Sequence, residues 1–169
     1  RKTLKDAPIM WRRINSIGII LDCNSTYAAN LGYAKSEILG KPIFEHVSKE
    51  SWTTMNDSLK IWFETGKVTD REITFVRQDE TTFLGLLQAT SLYDENKNVL
   101  GSNTVIFDLT QMTDENIKKY EVFFTETNQR LDEIKEKEYD QLDKNSKSEH
   151  DGLKEMFQML SKIDLKKLK

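Results

Sequence analysis

Residues 19–41, IILDCNSTYAANLGYAKSEILGK, decide the fold, because they change from a strand pattern to short helices within a few positions. The apolar run ends at Cys23, and the next residue, Asn24, is of a type that caps helix N-termini. Apolar residues then follow at helical spacing until Gly32, which is a typical helix stop. A second helical turn ends in the same way at Gly40. The stretch therefore predicts one strand followed by two short helices.

The sequence on either side of this stretch predicts four more strands and one longer helix. The helix spans 51–65, where apolar residues are spaced by three and four positions and Gly66 ends the pattern. The runs that we interpret as strands are 10–14, 17–23, 69–77, 82–92 and 98–107. Their short connections favour antiparallel neighbours. The predicted fold class is α+β, a five-stranded antiparallel sheet with helices on one face, followed by a long C-terminal helical or coiled-coil segment.

The C-terminal third of the chain has a different composition, in which charged residues alternate with spaced apolar ones. Thr113 is a plausible N-cap, and the apolar positions after it repeat with the heptad spacing of a coiled coil. The predicted dimer seam consists of Ile117, Tyr120, Phe124, Leu131 and Ile134. A polar stretch containing Gly152 then predicts a break, since glycine disfavours helices. We divide the chain into a domain at 1–112, a helix or coiled coil at 113–143, and a break with a second amphipathic helix at 144–169; the last two form either one bent helix or a hairpin.

The composition argues against several classes of function. The 169 residues are 37% hydrophobic and 31% charged with a net charge of -3, so no basic excess indicates nucleic-acid binding. One cysteine, Cys23, and two histidines, His46 and His150, 104 positions apart, do not make a zinc site. No apolar run approaches the roughly 20 residues that span a bilayer. We therefore expect a cytoplasmic location without a membrane segment in this chain, and, because the chain begins with Arg1 rather than Met, a piece of a longer protein.

Several motifs resemble those of PAS sensory domains, most closely the PAS domains of histidine kinases. In the first half of the domain these are IILDCN at 19–24, NLGY at 30–33 and EILGK at 37–41. In the second half they are ETGK at 64–67, DEN at 94–96 and FDLT at 107–110. The resemblance covers residues 7–110 and implies the PAS fold. One departure is Asp79-Glu80, where the family commonly has Asp-Gly in a turn.

The resemblance does not extend to the cofactor-binding members of the family. Flavin-binding light sensors carry Asn-Cys where this chain has Pro42-Ile43. They also place polar groups at three sheet positions that here are Phe75, Gly85 and Ile106, none of which can hydrogen-bond a flavin ring through its side chain. Haem-binding members supply a histidine from the helix at 51–65, which contains none here. We expect neither a cysteinyl-flavin nor a histidine-ligated haem, and no cofactor is assigned.

A candidate ligand pocket lies between the predicted sheet and the helix at 51–65. Its predicted lining is Trp52, Met55, Phe75, Gly85, Leu87 and Ile106. This lining would suit a small apolar or planar ligand, with Gly85 leaving room for it. The alternative is a core that its own side chains fill. His46 is expected on the surface, and Cys23 is expected to be an inert core thiol.

The residues after the last strand, Asp108, Leu109 and Thr110, are predicted to relay a signal into the C-terminal helix. We therefore predict a sensory module of a signal-transduction protein, of the sensor histidine kinase type in a two-component system, that forms a homodimer and acts on a downstream output domain. The alternatives are a ligand-free dimerisation or interaction module, and the sensor domain of a cyclase, a phosphodiesterase or a transcription regulator. The chain contains no catalytic constellation, and His150-Asp151 is followed by Gly152 rather than by the residues of a phospho-accepting histidine motif. We expect no enzyme within this chain.

Overall fold

A five-stranded antiparallel sheet forms the centre of the protein, as predicted. The computed structural model describes residues 4–169, so the first three residues of the domain predicted at 1–112 lie outside the described residues. The strands are arranged in the order β2-β1-β5-β4-β3. They are β1 (Met10–Ile14), β2 (Ile20–Cys23), β3 (Lys67–Val76), β4 (Thr82–Tyr93) and β5 (Val99–Asp108).

Three helices cover one face of the sheet, which we call the inner face. They are α1 (Ser25–Leu31), α2 (Lys35–Ile38) and α3 (Trp52–Thr65). The predicted cap is confirmed, because the Asn24 side chain accepts a hydrogen bond from the Tyr27 amide at 2.9 Å. The same side chain also donates to the carbonyls of Leu4 and Ile9 at 2.8 Å. Gly32 ends α1 in the left-handed region (φ 81°), where glycine carries no steric cost. One cap thus joins the first helix to the N-terminal segment.

The C-terminal helices pack on the opposite face of the sheet, which we call the outer face. They are α4 (Asp114–Asp132), α5 (Glu136–Asp140) and α6 (Lys144–Leu160). Helices α4 and α6 run antiparallel, because Asp132 near the end of α4 pairs with Lys154 at 3.6 Å, whereas Asp114 at its start contacts Lys169. Asn128 also donates to the Phe157 carbonyl at 3.3 Å. The C-terminal segment from α4 to α6, which we call the tail, is therefore a hairpin. The sheet has helices on both faces.

The outer face and the tail hairpin share a hydrophobic cluster of their own. Trp11, Val105 and Phe107 from the sheet are buried against it. Members of the cluster from α4 and α6 are Ile117, Tyr120, Phe123, Phe124, Leu131, Met156, Phe157 and Leu160. The protein therefore has two cores, one on each face of the sheet.

The polar break predicted at 144–152 is wrong, since these residues form the first half of α6. Asp143 caps the helix by accepting from the Ser146 amide at 2.7 Å. Gly152 lies in the helix interior, where a Cβ atom would be 3.2 Å from Leu92 on β4. The missing side chain lets the helix approach the sheet closely, and this contact outweighs the low helix propensity of glycine. The chain instead leaves the helical conformation at 133–135, between α4 and α5.

No helix in the described part of the chain has the length and apolar character needed to cross a membrane.

Candidate functional site

A small cavity lies between the inner face of the sheet and α3. Its volume is about 10 Å³, close to the space that one water molecule needs. Apolar side chains form most of its wall, together with the charged Arg12 and the hydroxyl residues Ser58, Ser102 and Thr104. Apolar side chains with a few polar groups are the usual lining of a small-molecule site, but such sites usually measure roughly 300–1,000 Å³, so this cavity is much smaller than a typical one.

Two of the six predicted pocket residues, Met55 and Leu87, line this cavity. Phe75 and Ile106 are fully buried nearby, but they fill the space beside Gly85, where a Cβ atom would lie 2.7 Å from Phe75 and 2.8 Å from Ile106. Gly85 therefore makes room for two core side chains and not for a ligand. Trp52 is 41% exposed and donates its indole N–H to the Val47 carbonyl at 2.9 Å. The cavity lies further along β4 than Gly85, the residue that was predicted to leave room for a ligand. It lies beside Leu87 and Ala89.

Arg12 is the most unusual residue of this cavity, because its charged side chain is only 1% exposed. Its guanidinium group donates to the Tyr27 hydroxyl at 3.2 Å and lies 5.9 Å and 6.0 Å from the ring centroids of Tyr27 and Phe75. Its Nε atom is buried without a hydrogen-bond partner. Within residues 4–169, no carboxylate forms an ion pair with it. Sequence analysis missed this residue.

His46 is buried beside Arg12 and Tyr27, so its predicted surface position is wrong. The residue is 2% exposed, and its Nδ1 atom lies 3.3 Å from the Tyr27 hydroxyl. An arginine can only donate, so this hydroxyl accepts from Arg12 and is left with its own proton to donate to His46. In the tautomer that carries its proton on Nε2, Nδ1 accepts this hydrogen bond and the imidazole is neutral. Burial, together with the positive charge of Arg12, lowers the pKa of His46 to about 4.

Two nearby groups could in principle supply a negative charge to Arg12, the Tyr27 hydroxyl and the Cys23 thiol, but both stay neutral. Burial raises the pKa of the Tyr27 hydroxyl above its usual value of 10.0, and it also raises the pKa of the Cys23 thiol. Cys23 is buried, as predicted for an inert core thiol. Arg12, Tyr27 and His46 therefore form a buried polar chain that carries a positive charge and no negative one.

The predicted relay residues lie where the sheet meets the tail. Asp108 ends β5, and one of its carboxylate oxygens accepts from the amide (2.9 Å) and the hydroxyl (2.6 Å) of Thr110. Its other oxygen lies 3.7 Å from the Arg77 guanidinium and 3.5 Å from the Asn30 amide. Leu109 begins a short 3-10 turn, Leu109–Gln111, that leads to α4. Asp108 thus connects helix α1, the end of β3 and the start of the tail.

Four of the five residues of the predicted dimer seam are buried within a single chain. The centroid of the Phe107 ring on β5 lies 5.9 Å from that of Tyr120 and 6.3 Å from that of Phe124. Ile117 and Leu131 belong to the same outer cluster, whereas Ile134 follows the end of α4. Of the helix or coiled coil predicted at 113–143, the helix is present as α4, whereas the coiled coil is not confirmed. The apolar face of α4 packs on the apolar outer face of the sheet.

A larger open groove of about 1170 Å³ lies on the outer face between β3, β4 and the end of the tail. Its lining combines exposed charged residues of both signs, among them Lys67, Glu72 and Lys162. In the part of the chain that the structure describes, this groove has no buried charged side chain. We therefore consider the inner cavity, with Arg12, the better candidate site.

Comparison with known proteins agrees with this architecture. The sequence profile of the PAS domain family matches residues 7–111. A PAS domain from Colwellia psychrerythraea has a similar structure, with 19% identity, a TM-score of 0.57, and coverage of 62% of this chain and 89% of that one. The PAS-B domain of Drosophila melanogaster Cycle has 17% identity, a TM-score of 0.55 and coverage of 59% and 99%. A PAS domain of a LuxR-family transcriptional regulator from Burkholderia thailandensis, in complex with ethanol, has 18% identity, a TM-score of 0.53 and coverage of 63% and 94%. No curated protein matches the sequence.

Proposed function

The chain belongs to the PAS domain family, a family of sensory domains, and on that premise we propose that it detects a small molecule at the inner cavity and passes the signal to its C-terminal hairpin. The observation that carries this proposal is the position of Asp108. Its carboxylate contacts an inner-face helix through Asn30, a strand end through Arg77, and the start of the tail through Thr110. A change on the inner face therefore has a short polar route to the outer face.

The route through Asp108 can be tested by a double-mutant cycle. We expect Asp108→Asn and Arg77→Gln each to increase hydrogen exchange at the start of α4, because each removes the charge pair at the junction. The double variant should add little to the larger single effect, with a coupling energy of about 1 kcal/mol, as is usual for residues in direct contact. Hydrogen exchange of the α4 amides is followed by mass spectrometry for the unchanged protein, the two single variants and the double variant.

Lys119→Gln is a matched control for that cycle, because it removes the exposed pair of Lys119 with Glu115 on α4 itself. An exposed pair of this kind contributes little, so exchange should change little. Strictly additive effects of the two junction variants would contradict the relay.

A second candidate function is a ligand-free interaction module, which the small volume of the cavity favours. A screen of small compounds by thermal unfolding separates the two candidates. We expect at least one compound to raise the unfolding temperature of the protein, since a ligand that binds only the folded state stabilises it. Ala89→Val should abolish this response, because Ala89 lines the cavity and two further methyl groups would occupy it. If no compound acts, or if Ala89→Val responds like the unchanged protein, the ligand-free module is the better description.

The type of parent protein also belongs to the proposal. We place the domain in a cytoplasmic signalling protein with a downstream output domain, of the sensor histidine kinase type, on the strength of the sequence motifs at 19–41 and 107–110. A cyclase, a phosphodiesterase or a transcription regulator is the alternative. A homodimer through the predicted seam would require α4 to leave the sheet, since Tyr120 and Phe124 are buried there. Docking of the hairpin and dimerisation through this seam are thus mutually exclusive in the proposal.

A further inference from the structure

We propose that an open cleft beside His46 binds a small zwitterion of the α-amino acid class. The cleft, which we call the side cleft, has a volume of about 560 Å³ and shares no lining residue with the inner cavity. This volume lies within the range of roughly 300–1,000 Å³ that is usual for small-molecule sites. The lining consists of Tyr33, Ser36, Glu37, Lys41, Glu45 and His46. The side cleft is a second site, and the proposal does not depend on a ligand in the inner cavity.

A buried histidine with one free ring nitrogen borders the side cleft. His46 is 2% exposed, and its Nδ1 atom lies 3.3 Å from the Tyr27 hydroxyl. In the described part of the chain, its Nε2 atom has no hydrogen-bond partner. The polar side-chain atoms that are fully buried without a partner belong to Arg12, Thr90 and Asn103, and Nε2 of His46 is not among them. Solvent therefore reaches Nε2, and the open space that His46 borders is the side cleft.

The polar chain behind His46 makes this nitrogen a strong hydrogen-bond donor. The Arg12 guanidinium donates to the Tyr27 hydroxyl at 3.2 Å, which leaves the hydroxyl proton for Nδ1 of His46. In the tautomer that accepts there, the ring proton is on Nε2. Hydrogen bonds in a chain polarise one another, so the positive charge of Arg12 strengthens the Nε2–H donor at the other end. The chain thus offers a donor to an acceptor oxygen in the side cleft.

Charged side chains of both signs line the same cleft. Lys41 and Glu45 are exposed, and within residues 4–169 neither side chain has a hydrogen-bond or ion-pair partner. The Glu37 carboxylate is held in place by the Ala34 amide, which donates to it at 2.9 Å. An anion alone would meet two carboxylates, and a cation alone would leave Lys41 and Nε2–H without an acceptor. A zwitterion matches both sets, because its carboxylate can accept from Lys41 and Nε2–H while its ammonium group pairs with Glu45.

The test follows both histidines of the chain by long-range proton–nitrogen magnetic resonance while alanine is added to the unchanged protein at neutral pH. We expect a saturable shift of Nε2 of His46 and no shift of the His150 ring, which does not line the cleft. Acetate and methylammonium each carry one half of the zwitterion. They should bind roughly fivefold more weakly than alanine or worse, because each leaves one set of charges unmatched.

Lys41→Gln and Glu45→Gln should each lower the affinity for alanine by roughly fivefold to tenfold, since each removes a charge-assisted hydrogen bond. Both residues are exposed, so these variants keep the fold. The matched controls are Lys49→Gln and Glu50→Gln, which remove the same charges at exposed positions outside the cleft. The controls should bind alanine like the unchanged protein.

The proposal would be overturned if alanine left the His46 ring unchanged, if acetate or methylammonium bound as well as alanine, or if the controls lost as much affinity as the cleft variants. Ala89→Val separates this site from the proposed sensory cavity, because Ala89 lines only the inner cavity of the two. This variant should bind alanine like the unchanged protein. A loss of binding in Ala89→Val would place the amino acid in the inner cavity, which would overturn the side cleft and leave the proposed function intact.

Discussion

Replacing Phe157 with alanine is expected to lower the free energy of unfolding by about 3–5 kcal/mol, the usual cost of removing a fully buried phenylalanine. Phe157 has no exposed surface, and its ring centroid lies 5.7 Å from that of Phe123 and 6.0 Å from that of Phe124. Together with Met156 and Leu160, it is one of the fully buried α6 residues in the cluster between α4 and the outer face of the sheet. Unfolding in guanidinium chloride, monitored by tryptophan fluorescence, measures the change.

The same substitution should release the hairpin before the rest of the domain unfolds. The inner core contains no residue of the tail, so the sheet with α1 to α3 keeps its own packing. Amides of α4 and α6 should then exchange faster than those of β4 and β5, which form the centre of the sheet. Release would expose Tyr120 and Phe124, and sedimentation should show increased self-association of the variant.

Phe63→Ala is the matched control, since Phe63 is 63% exposed on α3 and its removal should cost less than 1 kcal/mol. A cost below 1 kcal/mol for Phe157→Ala as well would contradict the docked hairpin. The hairpin would also be contradicted if α4 amides in the unchanged protein exchanged as fast as those of an isolated helix.

The first domain could be predicted from sequence because its signals are local. Asn24 and Gly32 mark the two ends of α1 by the chemistry of a cap and the conformational freedom of glycine, and neither depends on distant residues. The strands follow from apolar runs separated by turn residues. The predicted and observed strand boundaries agree within a few residues for the same reason. The largest difference is at the strand predicted at 17–23, because Gly18 forms a turn and β2 begins only at Ile20.

The tail could not be predicted in the same way, because an apolar stripe does not specify its partner. The positions from Ile117 to Leu131 would suit a second helix or the face of a sheet equally well. The missing signal was in the last part of β5, where Val105, Ile106 and Phe107 are consecutive apolar residues. Because neighbouring residues of a strand face opposite sides, this part of the sheet is apolar on both faces and needs cover on both. Gly152 was misread for a related reason, since its contact with Leu92 is a tertiary one.

The candidate site was only partly predictable, although one of its residues had a sequence signal. Side chains in a strand alternate between faces, so Arg12 must share a face with Met10 and Ile14. Both of these are buried in the inner core, which places the arginine there as well. His46 had no such pattern, because it lies in a short 3-10 turn, Ile43–His46.

Acidification from pH 6.5 to pH 4 is expected to remove about 3 kcal/mol of stability through His46 alone. The unfolded chain binds a proton to this histidine below its ordinary pKa of 6.5, whereas the folded protein does so only near pH 4. Between these values the unfolded state holds more protons, so stability rises with pH and falls as the solution becomes acidic. Each pH unit in this window corresponds to about 1.4 kcal/mol.

The physical cause of that loss is the polar chain around Arg12. A protonated His46 would lie beside a second buried cation, and the Tyr27 hydroxyl would lose the acceptor for its proton. The side chains of Glu37 and Glu45 line the open cleft that His46 also borders, but the first cause of the lowered pKa is burial, which these surface carboxylates do not offset.

The measurement is the free energy of unfolding between pH 5 and pH 6.5, a window above the range in which the aspartates with lowered pKa, such as Asp22 and Asp94, titrate. His46→Gln should flatten the slope in this window, because glutamine does not titrate. His150→Gln should leave the slope in place, since it removes the other histidine of the chain and keeps His46. A slope that survives in His46→Gln and disappears in His150→Gln would assign the acid sensitivity to the tail hairpin instead of the inner face, and would contradict a neutral His46 beside Arg12.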